Sequence, residues 1–165
     1  MGTYFGGVNY FNPEYEIYTR YSYSSNEKKG LSNPVVGRTI EDKDGNLWIG
    51  TEGGGLNYYN RRTREFKWYR PQEGRNSISH NNVKALYYDA DKEIIWIGTH
   101  LGGLNKLDIR SGHFTHYRME EGNPNTLPSD IIRDIIPYKS LLIIATQNGV
   151  CLFDPANGQC QQLFK

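Results

Sequence analysis

No stretch of this sequence approaches the roughly 18 consecutive apolar residues of a membrane-spanning helix, which excludes membrane contact through a helix within the chain. The amino terminus lacks the basic patch followed by an apolar run that a secretion signal shows. An excess of one charge is also missing. Nineteen basic and 18 acidic residues leave a formal net charge of +1, with no run of like charge. That balance carries no electrostatic footprint for nucleic acid or an anionic surface. Cysteine is scarce. Cys151 and Cys160 are the only two, and no Cys-x-x-Cys or Cys/His spacing suggests zinc. They flank the turn Asp154-Pro155-Ala156-Asn157-Gly158, where a cross-hairpin disulfide is geometrically accessible; two small residues in a diverged segment is the other reading. Finally, no segment sustains an apolar period of 3.6 residues, because Gly and Pro interrupt too often. That argues against a helical fold.

What the chain has instead is glycine, tyrosine and repetition. Its 18 Gly and 13 Tyr suit many short strands joined by tight turns. The stretch Gly45-Asn46-Leu47-Trp48-Ile49-Gly50-Thr51-Glu52-Gly53-Gly54-Gly55-Leu56-Asn57 returns as Ile95-Trp96-Ile97-Gly98-Thr99-His100-Leu101-Gly102-Gly103-Leu104-Asn105. It is preceded by Gly2-Thr3-Tyr4-Phe5-Gly6-Gly7-Val8-Asn9 and followed by a worn copy, Leu142-Ile143-Ile144-Ala145-Thr146-Gln147-Asn148-Gly149-Val150-Cys151. Thr3, Thr51, Thr99 and Thr146 are separated by 48, 48 and 47 residues. Other columns keep the register: Tyr21, Tyr69, Tyr117 and Leu163; Tyr18, Phe66, Phe114 and Cys160; Leu31, Ile78 and Leu127. A period of this size marks a repeat array whose units cannot bury their apolar faces alone.

Each unit resolves into four short strands. In the second unit they run 35–42, 47–51, 55–60 and 65–69, with Asp44-Gly45-Asn46 as a hairpin signal between the first two. The third unit repeats the plan at 83–88, 94–99, 103–108 and 113–118, and the fourth at 131–137, 141–146, 149–154 and 159–164. Ahead of Leu31 only the last two strands of a unit are expected, which makes about fourteen strands in all. Trp48 and Trp96 recur at one strand position, as sheet-to-sheet core aromatics would; a sugar-stacking platform is the alternative.

Four antiparallel strands per 48 residues with both sheet faces apolar describe a propeller blade. The expected fold is therefore all-β, a β-propeller fragment of about 3.5 four-stranded antiparallel blades. Its boundaries are a partial blade at 1–30, blades at 31–77 and 78–126, and a diverged blade at 127–165, all belonging to one larger propeller. Glu41-Asp42-Lys43-Asp44-Gly45-Asn46-Leu47-Trp48-Ile49-Gly50-Thr51, followed by Gly54-Gly55-Leu56-Asn57, resembles the two-component regulator propeller repeat. The resemblance runs along essentially the whole chain and departs in the last copy, where Ile143 replaces Trp and a turn is one residue shorter. It implies the periplasmic sensor region of a hybrid two-component histidine kinase, with any targeting signal or anchor outside this segment.

No catalytic arrangement is expected. There is no Gly-x-Ser-x-Gly elbow or Cys/His pair, and Gly53-Gly54-Gly55 lacks the Lys and helix of a phosphate loop. Asp42-Lys43-Asp44-Gly45-Asn46 lacks the twelve-residue frame and closing Glu of a calcium loop. His80 and His100 lie on separate loops, while His113 and His116 point to opposite faces of one strand, so neither a metal nor a cofactor is expected. The candidate ligand surface lies where the loop between second and third strands meets the loop leading into the next blade. It comprises Tyr4, Phe5, Glu52, Asn81, Asn82, His100, Asp130, Gln147 and Asn148. Their glycine neighbours recur while these side chains differ, as a shared scaffold with individually shaped recognition loops would show, or as unselected loop variation would. Aromatic rings beside amides and carboxylates suit an oligosaccharide, to be reported to a kinase elsewhere; a protein-binding scaffold is the alternative. The remaining blades, or a second copy, are the other expected partners.

Overall fold

The computed structural model describes residues 2–3, 7–12, 14 and 17–164. Four antiparallel sheets follow one another along the chain. The first holds β1 (Gly2–Thr3), β2 (Gly7–Asn12) and β3 (Ile17–Tyr21). The second holds β4 (Val36–Glu41), β5 (Leu47–Thr51), β6 (Leu56–Asn60) and β7 (Glu65–Tyr69). The third holds β8 (Val83–Asp89), β9 (Ile94–Thr99), β10 (Leu104–Asp108) and β11 (His113–Tyr117). The fourth holds β12 (Ile132–Tyr138), β13 (Leu141–Thr146), β14 (Gly149–Phe153) and β15 (Cys160–Phe164). The only helical piece among the described residues is a 3-10 turn at Glu27–Lys29. This is the expected propeller arrangement with one strand more. β1 pairs Gly2 with Val8 and Thr3 with Gly7, so the first sheet has three strands rather than two. Two residues of the Gly-Thr motif suffice, because they are the tail of a second strand whose partner is intact.

Within each sheet neighbours in sequence are neighbours in space, and the first strands β4, β8 and β12 lie side by side. The near-continuous apolar runs at β5 and β9 follow from sheets stacked on both faces. Leu47 and Ile49 point into a core shared with Val8 and Tyr21 of the first sheet, whereas Trp48 packs with Ile95 and Ile97 of the third. One sheet on, Ile94 and Trp96 point the other way, toward Ile144 and Phe153 of the fourth. Trp48 is 2% and Trp96 1% exposed, so both are core and neither is a stacking platform. Each fully buried Leu or Ile contributes about 1.5–3 kcal/mol, and the tryptophans bury more area still.

The inner joints are closer than a side chain would allow. A Cβ on Gly50 would lie 2.6 Å from Val83 Cγ1, and one on Gly98 would lie 2.5 Å from Ile132 Cγ2. Glycine in the second strand is thus the socket for a branched residue of the next sheet's first strand. In the fourth sheet the same column holds Ala145. A second glycine column has a different cause. Gly55 and Gly103 sit at φ +79° and +69°, where a Cβ would come within 2.2 and 2.3 Å of the Tyr69 and Tyr117 carbonyl oxygens.

Candidate functional site

The recurring threonine fixes the loop between second and third strands. Thr51 Oγ1 donates to the Gly55 carbonyl (2.9 Å), Thr99 Oγ1 to Gly103 (2.9 Å) and Thr146 Oγ1 to Gly149 (2.8 Å). A buried hydroxyl that satisfies a turn carbonyl removes the loop's freedom to reorganise. Behind it, Asn57 accepts from the Ser32 amide and donates to Ser32 Oγ, each at 2.8 Å; Asn105 does the same to Ser79.

So held, each loop is stitched to the segment leading into the next sheet. The amides of Gly53 and Gly55 donate to Asn81 O (3.3 and 2.7 Å) and Gly103 N to Asp130 O (2.9 Å), while His100 N donates back to Asn82 O (2.9 Å) at the head of its own sheet. Single bridges join Glu52 to Asn82 and His100 to Ile131. One rim therefore gathers Glu52, Asn81, Asn82, His100 and Asp130. Gln147 and Asn148 occupy the equivalent loop of the fourth sheet, with Gln147 N donating to Ile131 O (2.9 Å) and Asn148 N to Thr146 Oγ1 (3.2 Å). Tyr4 and Phe5 lie outside the described residues.

The rim carboxylates and amide each have a basic companion that sequence reasoning missed. Lys84 Nζ donates to Glu52 Oε1 (2.5 Å), Arg133 to Gln147 Oε1 (3.2 Å), and Arg118 to Asp130 Oδ2 (3.3 Å) and the Leu101 carbonyl (3.2 Å). Asp130 Oδ1 also accepts from Met119 N (2.8 Å). Lys84 and Arg133 occupy one column, each at a bulge in its sheet's first strand. A bulge leaves one residue unpaired and re-aims its side chain. The only signal in the sequence was a basic residue directly after the anchors Val83 and Ile132.

The two rim histidines are closer partners than separate loops suggest. His80 Nδ1 accepts from the Asn82 amide at 3.1 Å, which puts the neutral ring's proton on Nε2. Partial burial, then the electrostatic influence of His100 and Arg118, push His80 below the ordinary histidine range. His100 Nδ1 is buried without a hydrogen-bond partner. The remaining histidines belong to the outer strand β11: His116 Nε2 bonds the Ser77 carbonyl at 2.8 Å, and His113 is exposed. Among the described residues no three His, Cys, Asp or Glu side chains converge as a metal site.

The opposite rim is turn chemistry. Asp42 Oδ1 accepts from the amides of Asp44 (3.0 Å) and Asn46 (2.9 Å), and its Oδ2 accepts from Trp48 Nε1 (3.1 Å). Those oxygens lock a hairpin to the core instead of facing a cation. Beside it Glu93 takes hydrogen bonds from both Lys43 and Arg110, joining the second and third sheets. A cavity of about 540 Å³ lies away from the candidate rim, against Leu141, Leu152 and Gln161 of the fourth sheet and the turn at Asp154 and Asn157. Its lining mixes these apolar side chains with polar ones, among them Asn125, Asp154, Asn157 and Gln161.

The sequence profile of the two component regulator propeller family matches residues 30–53 and 77–100, which hold the first two strands of the second and third sheets with the segments leading into them. Two segments of the chain thus match the two-component regulator propeller repeat. In fold, these repeats superpose on the extracellular domain assigned to a hybrid two component system of B. thetaiotaomicron with a TM-score of 0.81 at 24% identity, covering 96% of this chain and 22% of that one. A second extracellular domain from that organism, assigned to a one component system, gives 0.75 at 24% identity over 96% of this chain and 23% of its own. The computationally designed Ika8 protein gives 0.60 at 15% identity, over 98% and 43%. The chain thus spans less than a quarter of the length of the two bacterial domains. No curated protein matches the chain at a significant level.

Proposed function

We propose that this chain is part of the extracytoplasmic ligand-sensing β-propeller of a hybrid two-component sensor histidine kinase, located in the periplasm. Its ligand is an oligosaccharide, and occupancy is passed to a kinase outside this segment. The observation that carries the reading is the rim: rigid loops built on identical Thr and Gly positions, yet bearing Glu52 with Lys84, His100, and Gln147 with Arg133 at equivalent places. A surface of alternating donors and acceptors on a fixed frame suits the hydroxyls of a sugar. The repeat family and the extracellular domains of similar fold support the placement.

The test is calorimetric titration of the full-length receptor with a panel of oligosaccharides, alongside Glu52→Ala, His100→Ala and Gln147→Ala. At least one substitution is expected to weaken binding and downstream signalling tenfold or more while the melting temperature holds. If all three leave both unchanged, the ligand sits elsewhere.

A protein-interaction reading has its own observation. The outer face of the fourth sheet presents Leu141, Ile143, Val150 and Leu152 half-buried, and Leu163 is 39% exposed. That apolar face suits further blades of the propeller or a second copy. Sedimentation of this chain alone would show concentration-dependent association on this reading, whatever the sugar titration shows.

A further inference from the structure

The fourth sheet departs from its predecessors at two places that touch. Where Asn57 and Asn105 stand in the second and third sheets, β14 has Cys151; where Phe66 and Phe114 stand, β15 has Cys160. Cys151 lies opposite Gln162 and Cys160 opposite Phe153, which makes the cysteines diagonal neighbours on one face of the β14–β15 hairpin. Within that regular register the Cys151 thiol meets the Cys160 sulfur at 3.2 Å; the pairing slips only beyond Cys151, between it and Val150. Both are thiols, 0% and 4% exposed, in the core shared with Trp96 and Phe153. Bonding would require the sulfurs to close by about 1.2 Å, to the roughly 2.05 Å of a disulfide.

We infer that Cys151 and Cys160 are a disulfide-forming pair that staples the outer strand of the fourth sheet. The inference rests on the extracytoplasmic placement proposed above, since disulfides persist in oxidising compartments. What the staple replaces is visible in the second and third sheets. There the outer strand is anchored by a buried Phe, and the adjacent strand by the Asn–Ser pair; the fourth sheet has neither. The oxidant is a disulfide, either a small-molecule one or that of a thiol–disulfide exchange protein. One cysteine thiolate attacks it and releases the first thiol; the other then attacks the mixed disulfide and releases the second. Two S–H bonds of the chain are lost and one S–S bond is gained. Both electrons and both protons end on the departing thiols. The hydrogen bond shared with Cys151, then burial, push the Cys160 thiol up, and both sulfurs are enclosed in the core, so an oxidant reaches the folded pair poorly. The bond therefore forms while the hairpin is still open, during folding, and only slowly once the strands have closed.

The test begins with denatured, reduced chain refolded in a glutathione redox buffer, acid-quenched and treated with N-ethylmaleimide. The expected product is two hydrogens lighter than the dithiol, takes no maleimide, and takes two after reduction. Native reduced chain in the same buffer should form it at least tenfold more slowly. A refolded chain with a native circular dichroism spectrum and two free thiols overturns the inference. Cys151→Ser should give a glutathione adduct at Cys160 instead; if that variant does not fold, the wild-type arms still decide. Thiol trapping of the full-length protein in cell fractions separates the two claims. Exported protein with both thiols free overturns the disulfide. Protein retained in the cytoplasm overturns the placement, and the refolding arm then decides the disulfide alone.

Discussion

Asn57 and Ser32 hold each other by two hydrogen bonds of 2.8 Å across 25 residues of chain, and both are buried. The side chain of β6 thereby pins the start of the segment that becomes β4. Asn105 and Ser79 repeat the strut one sheet later. In the fourth unit both ends change together: Cys151 takes the Asn column and Pro128 the Ser column. Proline has no amide hydrogen to give, so an Asn there would lose its main donor. Asn57→Ala should cost about 1–3 kcal/mol in urea unfolding, because it strands a buried amide and hydroxyl. Ser32→Ala added to it should cost much less than it does alone, as partners in one network behave.

Gly98→Ala places a methyl 2.5 Å from Ile132 Cγ2. A shift of about 1–3 kcal/mol toward unfolding is expected, the usual effect of overpacking. Ile132→Ala in the same chain should recover part of it. Recovery would appear as a melting temperature above that predicted by adding the two single effects.

Glu93 ties the second and third sheets at the rim away from the candidate site. Its carboxyl is held below the usual carboxylate range by the hydrogen bond from Lys43 first, then by that from Arg110. A depressed acid contributes stability that is present above its unfolded value and is lost as pH falls through the folded one. Glu93→Gln should therefore reduce stability at neutral pH and flatten the acid limb of the stability–pH curve. Denaturant midpoints measured from pH 7 to pH 3 check both. A limb of unchanged slope would mean the cluster is electrostatically idle, as many exposed ion pairs are.

His80 titrates in the opposite chemical sense with the same outcome in pH. Its protonated form is disfavoured in the fold by burial and then by the electrostatic influence of His100 and Arg118, so the unfolded chain binds that proton more readily. The stability it contributes is full above the unfolded histidine pKa and falls as pH drops below it. His80→Gln should shrink the stability loss between pH 7 and pH 5. Proton NMR of the ring should show a midpoint below that of a model peptide.

Much of this was legible in the sequence. Gly, Thr and Trp columns at near-constant spacing gave the sheets, their order and the burial of Trp48 and Trp96, because stacking imposes the same constraint on every copy. The meeting of the Glu52 and His100 loops with residues 81, 82 and 130 also followed from strand order alone. What escaped depends on register and side-chain reach. Bulges at Lys84 and Arg133 turn those residues to the rim, yet a bulge leaves no mark in apolar periodicity. The Asn–Ser strut hid inside columns that read as ordinary polar positions.

Gly50 and Gly98 each accept a branched side chain from the following sheet, while Ala145 already carries the atom that would collide with one. The joints are consequently not interchangeable. A first strand bearing Val or Ile at the socket position can stack on the second or third sheet at the observed distance, but not on the fourth. Whatever covers that last face must either carry a smaller residue there or stand farther out. A single methyl group thus sets the outer joint of the fourth sheet apart from the two before it.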